Sequence, residues 1–280
     1  MGTDAAVILK EGSSSFYYSF SFLPKEQRDA LRTVYAFCRR TDDIVDDNRD
    51  VESKVEGLQR WRKELGKALD GTSEYSLLNQ LSSVARRFNI PVVHFYELIE
   101  GVEMDIVKNR YATFDELRGY CYHVASSVGL MCLEIFRSKN ERTKDYAVNL
   151  GIALQLTNIL RDVGIDAQYG RIYLPQEDLR RFGYTEADLF ARTYSSEFVA
   201  LMNFEAHRAE EYFRKAQASL PVEERRAMFP AKIMERIYFH TLLRIKKARY
   251  NVFDASVSLP RYLQLLIAIK YWLTHRILTA

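Results

Sequence analysis

Cysteine is scarce in this chain. Three residues in 280, Cys38, Cys121 and Cys132, form no CxxC pair. That excludes a disulfide scaffold and a thiolate zinc site. All three sit in apolar contexts and read as small hydrophobes, which suits a reducing, cytoplasmic setting. Six prolines and twelve glycines are too few for a turn-rich β protein and leave room for long helices. The five histidines, His94, His123, His207, His240 and His275, make no HExxH or other ligand pair and read as packing or surface residues. A Walker A sequence, GxGxxG and GxSxG are all missing, so the common nucleotide-fold and serine-hydrolase readings lack support. The stretch MGTDAAVILKEGSSS has no basic n-region and no long apolar run, so no signal peptide is expected. The apolar run LLIAI covers only five residues, 265 to 269, against the ~20 that span a bilayer. A net charge of +3 gives no bulk attraction to nucleic acid.

What is present is apolar and helical. At 48% hydrophobic and 13% aromatic the chain can bury a large core. The periodicity predicts helices over 25–47, 53–70, 75–88, 92–108, 114–137, 141–165, 176–182, 186–191, 195–218, 222–253 with a break at Pro230, and 260–277. Pro24 opens the first, and Thr113 with Glu116 predicts a capping box. Nothing alternates with period two. The expected class is all-α, one bundle-like domain over 1–280 with a flexible N-terminus at 1–12. Charge is uneven: Arg225 to Ala280 carries eleven Lys and Arg against two acids, a net +9. This is either a solvated basic face or one drawn to an anionic membrane surface or a phosphorylated substrate.

Residues 39–47 read RRTDDIVDD, with four aspartates in six positions, although like charges at i,i+4 repel on a helix. With Tyr35 as origin, Arg39 stands at about 40°, Asp42 at about 340° and Asp46 at about 20° around the helix. An aromatic, a guanidinium and two carboxylates thus share one stripe, while Asp43 and Asp47 turn away to about 80° and 120°. The segment LGIALQLTNILRDVGID (150–166) repeats the device, with Gln155, Asn158, Asp162 and Asp166 within about 80° of one another. Gly164 is a candidate early end for this helix, which makes Asp166 the outermost member. Donors that are all oxygen suit a hard cation, above all Mg2+, which takes one or two carboxylates and bridges to substrate phosphates. Arg39 and Arg161 stand ready to pair with a diphosphate. Without metal and diphosphate the first of these helix ends is predicted to be mobile.

These segments, together with SSSFYYSFSFLP (13–24), YCYHVASSVG (120–129) and GRIYLPQEDLRRFG (170–183), resemble the squalene/phytoene synthase family in order and spacing over about residues 12 to 270. The resemblance implies a single-domain isoprenoid synthase fold, a helical bundle of the class I terpenoid synthase type with a central cavity. It implies Mg2+-dependent head-to-head (1′-1) condensation of two prenyl diphosphates. Within the family the chain looks most like bacterial presqualene diphosphate synthases of hopanoid pathways, which join two farnesyl diphosphates. Phytoene and dehydrosqualene synthases are the alternatives, as is a squalene synthase that completes an NADPH step; NADPH is not expected for the first step. Carried over, Asp42 and Asp46 match one metal-binding pair, and Asn158, Asp162 and Asp166 the other. Ser13, Ser14, Ser15, Tyr35, Arg39, Gln155 and Arg161 match diphosphate-holding positions. Phe16, Phe20, Tyr120, Val124, Val128 and Gly129 match the cavity lining, Tyr173 a tyrosine near the reaction centre, and Tyr238 a substrate contact. A later basic position matches either Arg249 or Arg261. The resemblance includes no C-terminal anchor of the eukaryotic squalene synthase kind, and leaves peripheral membrane contact open. Rivals are a chain-elongating prenyl transferase or terpene cyclase, which also use DDxxD, and a non-enzymatic assembly or lipid-binding protein derived from the family.

Overall fold

The computed structural model describes residues 19–46, 50–254 and 257–277. Ser13, Ser14, Ser15, Phe16 and Asp47 lie outside them, as do the residues just past the first acidic helix end. Among the described residues the fold is all-helical, with a single isolated bridge, Arg110 to Ile172, in place of any sheet.

Twelve α-helices follow one another among the described residues: α1 Lys25–Asp46, α2 Val51–Leu69, α3 Ser76–Phe88, α4 Val93–Val107, α5 Phe114–Cys121, α6 Ser127–Phe136, α7 Thr143–Gln168, α8 Gln176–Arg181, α9 Glu186–Phe190, α10 Ser196–Ser219, α11 Phe229–Lys247 and α12 Arg261–Ile277. Short turns of tighter or wider helix stand at Val222–Glu224 and Tyr122–Ser126. At the centre is α7, buried along Tyr146, Leu150, Ala153, Leu156, Leu160 and Val163. A helix apolar on most sides must be surrounded; α10, α6, the Tyr122–Ser126 turn and α11 pack around it. No described helix is long and apolar enough to cross a membrane.

Three details differ from the sequence reading. Gly164 does not end α7, which runs to Gln168. A Cβ at Gly164 would meet the Phe253 ring at 2.9 Å, so this glycine serves close packing inside the helix. Pro230 opens α11 instead of breaking a longer helix, and Arg249 and Tyr250 at φ 52° and 66° close it well before 253. The capping box at Thr113 is half made: its hydroxyl accepts from the Glu116 N–H at 3.4 Å, while the Glu116 carboxylate accepts from Ala112 N–H and Lys108. The complete box is at Thr185 and Asp188.

The expected helix over 114–137 carries a wide π turn, YHVAS, at Tyr122–Ser126. Such a turn inserts one residue and re-aims those beside it. Two glycines clasp it. A Cβ at Gly151 would lie 2.6 Å from Ser126 Cα, and one at Gly101 would lie 2.7 Å from both Val124 and His123 side chains. The Ser126 hydroxyl donates to the Val148 carbonyl at 2.8 Å, and His123 Nδ1 faces the Glu97 carbonyl at 3.2 Å.

Candidate functional site

The last turns of α1 are fixed from behind. Trp61 of α2 donates its indole N–H to the Thr41 hydroxyl at 2.9 Å, and Thr41 donates to the Phe37 carbonyl at 2.8 Å. With Thr41 and Ile44 buried, the opposite stripe of α1, with Val45 at its edge, faces a cavity of about 410 Å³. Arg39, Asp42 and Asp46 line it, as the stripe geometry predicts. Asp43 does not line it; its carboxylate pairs with Arg39 at 2.9 Å. The Arg39 guanidinium is therefore already engaged, and a diphosphate would have to displace Asp43 from it. Burial, then the negative charge of Asp46, raise Asp42 from 3.8 to about 7.

The facing wall is α7. Gln155, Asn158, Arg161, Asp162 and Asp166 all line the same cavity. Asn158 donates to Gln155 Oε1 at 3.3 Å, while its own Oδ1 is buried with no hydrogen-bond partner. A buried amide oxygen without a donor is costly unless something positive reaches it. Arg161 lies flat on its neighbour Asp162, with Nε and Nη2 donating at 2.8 and 2.5 Å. Burial, then the Asp162 charge, raise Asp166 to about 7.

The third wall adds two residues that the sequence reading passed over. Asp105, near the end of α4, accepts from Tyr120 Oη at 3.0 Å and Tyr173 Oη at 2.8 Å. Those rings stack at 5.2 Å. Burial raises Asp105 despite these donors, and burial likewise raises both phenols. Arg171, from the GRIYLP loop, points into the cavity and reaches Asp46 at 3.6 Å. That loop is held by backbone bonds, Ile172 N–H to the Asn109 carbonyl at 3.0 Å and Gln176 N–H to the Tyr111 carbonyl at 2.8 Å. Arg110 adds a bond to the Gly170 carbonyl at 2.6 Å and a double contact with Glu186. Arg249 and Arg261, the candidate later bases, are exposed and do not line this cavity.

The polar cavity opens inward to apolar space. A chamber of about 260 Å³ shares Arg39, Asp42, Val124, Gln155 and Asn158 with it, and adds Phe20, Tyr35, Val128 and Tyr238. Tyr35 thus lines the apolar chamber and not the charged mouth. A further space of about 80 Å³ continues past Phe20, Ala125 and Val128 to Gly129, Phe136 and Tyr146. Apart from Arg249 and Arg261, every candidate residue within the described part lines one of these three adjoining spaces. The arrangement is a charged mouth over a greasy tail channel, suited to an amphiphile with an anionic head.

Among the described residues no three His, Cys, Asp or Glu side chains converge into a closed metal centre. The oxygen donors are divided between α1 and α7 across the cavity. They can hold a hard cation only as part of its shell, with ligand oxygens and water completing it. The carboxyls of Asp42 and Asp166 are raised mainly by burial and next by a neighbouring carboxylate, and the Asn158 oxygen has no donor.

Residues 9–262 match the family model described as squalene/phytoene synthase. The chain is 36% identical over 265 residues to the 15-cis-phytoene synthase of Synechococcus elongatus, covering 90% of this chain and 86% of that protein. Its fold superposes on a crystal structure of a dehydrosqualene synthase in complex with ligand at a TM-score of 0.84, with 32% identity, covering 97% of this chain and 95% of the other. The squalene synthase HpnC from Alicyclobacillus acidocaldarius gives a TM-score of 0.80 and 28% identity over 88% of this chain and 93% of its own.

Proposed function

The chain belongs to the squalene/phytoene synthase family and is a prenyltransferase, and from that premise we propose that it joins two C20 prenyl diphosphates head to head into a phytoene. The sequence alone favoured the C15 presqualene reaction. Similarity to the cyanobacterial 15-cis-phytoene synthase now favours the longer substrate. The observation that carries the reading is the run of three adjoining cavities, with five aspartates and three arginines lining the first and apolar side chains the last.

Asp42 and Asp46 on α1, and Asn158, Asp162 and Asp166 on α7, are assigned to Mg2+, and the fit rests on their all-oxygen donor set and the orphaned Asn158 Oδ1. When bound, Mg2+ neutralises the diphosphate and makes it a better leaving group. Arg39, Arg161 and Arg171 take the remaining phosphate oxygens, each exchanging a carboxylate partner for phosphate. Val124, Val128, Phe20 and Tyr35 exclude water from the allylic carbon once its C–O bond breaks, and the aromatic rings face the positive charge left behind. The new carbon–carbon bond forms as the second chain's double bond attacks. Each chain loses its diphosphate, and the joined product loses two protons, so no hydride is consumed. Asp105, held between two phenols at the mouth, positions Tyr120 and Tyr173 beside the departing diphosphate.

The test is incubation of purified protein and Mg2+ with farnesyl or geranylgeranyl diphosphate, with and without NADPH, and identification of the hydrocarbon. The expected result is a C40 hydrocarbon with a central conjugated triene from the longer substrate, unaffected by NADPH. A C30 product from the shorter substrate, with none from the longer, restores the presqualene or dehydrosqualene reading. No turnover of either revives the non-enzymatic one.

A further inference from the structure

Helix α12 is apolar on two opposite sides, and among the described residues only one of them is covered. About its axis, at about 100° per residue, Leu263, Ile267 and Tyr271 point one way. These pack with Ile233 and Ile237 of α11 and with Leu259. Arg236 donates to the Tyr271 hydroxyl at 2.7 Å, and Trp272 stacks on Phe22 at 5.1 Å, so the helix cannot roll. With Tyr262 as origin, Leu265, Ile269, Leu273 and Leu266 fall within an arc of about 100° on the other side. Tyr262 is 64% exposed, Leu266 57% and Leu273 47%. Arg261 and Lys270, both exposed, flank the two edges of this arc. No acid occurs between Asp254 and the last residue. On α11 beside it, Leu243, Arg244 and Lys247 are exposed as well.

We propose that the outer stripe of α12 docks the protein on an anionic lipid surface. A helix lying in a membrane interface has this build: a continuous apolar arc, bases along its edges that reach headgroup phosphates, and no acid to be repelled. A water-facing helix does not gain from five large apolar residues on one arc. The chemistry calls for such a surface. The inner face of α12 packs on the same small cluster, around Ile233 and Ile237, as Tyr238, which lines the apolar chamber, so the docking face lies on the far side of α12 from that cluster. Prenyl substrates reside in lipid by their tails, and a hydrocarbon product has no other phase to enter.

The experiment is flotation of the intact protein with vesicles of phosphatidylcholine, with or without about 30 mol% phosphatidylglycerol. Vesicle binding is measured without prenyl substrate, so it stands or falls apart from the reaction assigned above. The parent protein is expected to float with the anionic vesicles and to be released by salt. Tyr262→Ser/Leu266→Ser/Leu273→Ser is expected to lower binding about tenfold or more while keeping its circular dichroism and its turnover of detergent-presented substrate. Arg261→Gln/Lys270→Gln is expected to lose about fivefold per charge on anionic vesicles and nothing on neutral ones. A parent that fails to float, or a triple variant that floats equally well, overturns the proposal. A concentration-dependent dimer in the ultracentrifuge that the triple variant dissolves, with no flotation, assigns the stripe to a second copy of the chain instead.

Discussion

At the scale of single residues, the site is built against its own stability. Asp42 and Asp166 are each raised to about 7, chiefly by burial and next by a neighbouring carboxylate. An unfolded aspartate titrates near its ordinary 3.8, so the folded protein holds these protons more tightly than the unfolded chain. Their contribution to stability is complete below the unfolded value and is lost as pH rises from there to about 7. Metal-free protein is therefore expected to melt at lower temperature at pH 8 than at pH 5.5. Asp42→Asn, which removes the buried charge, should raise the melting temperature at pH 8 by roughly 2–6 °C and flatten that pH dependence. The same substitution should reduce turnover roughly a hundredfold or more, since Asp42 is proposed to hold the leaving group's counter-ion. A variant equal to the parent in both melting and turnover would remove Asp42 from the site. Tyr173→Phe makes a second case. It deletes one of the two phenol donors to Asp105, should raise that carboxyl further, and should destabilise the fold by about 1–2 kcal/mol in a denaturant titration.

At the scale of elements, the Tyr122–Ser126 turn decides where Val124 and Val128 point, and the glycines clasping it decide whether it can exist. Gly151→Ala would put a methyl 2.6 Å from Ser126 Cα, which is backbone and cannot swing aside. A loss of about 1–3 kcal/mol is expected, with turnover falling more than stability because the wall of the channel shifts. Gly119→Ala on α5, where a Cβ meets nothing within 4 Å, is the control and should be neutral or stabilising by about 0.4–1 kcal/mol. Urea titration of the pair reads both, and equal effects would contradict the clasp. The turn was not legible in the sequence, because YHVAS has the composition of ordinary helix and a wide turn differs only in its hydrogen-bond partner. The acidic stripes of α1 and α7 were legible, because helical angle alone sorts Asp42 and Asp46 from Asp43. Asp105 was hidden for the opposite reason. It stands with Glu100 and Glu103 on one helix, and only the fold reveals which acid meets Tyr120 and Tyr173. Arg171 lay within a recognisable loop, GRIYLP, and a base beside the loop's tyrosine was a signal available to be read.

At the scale of the whole molecule, the bundle holds its oxygen donors on two helices, α1 and α7, that share no backbone hydrogen bonds across the mouth. Five aspartates against three arginines leave this mouth negative, although two of the acids are partly protonated near neutrality. A diphosphate alone is repelled, and a cation alone finds an incomplete shell on either wall. On the proposed reading the two together bridge α1 to α7, so each ligand's binding should depend on the other, a reciprocity required by linkage. In differential scanning fluorimetry, Mg2+ alone and inorganic diphosphate alone should each shift melting little. The two together, at about a hundredfold over their dissociation constant, add ~2.7 kcal/mol, which for a chain of this size is a rise of roughly 5–10 °C. Asp42→Asn on one wall and Asp162→Asn on the other should each abolish the joint shift, since a bridge fails when either abutment is lost. Strictly additive shifts, or a joint shift that survives both substitutions, would mean that the ligands bind one wall only and that α1 and α7 do not act as a clamp.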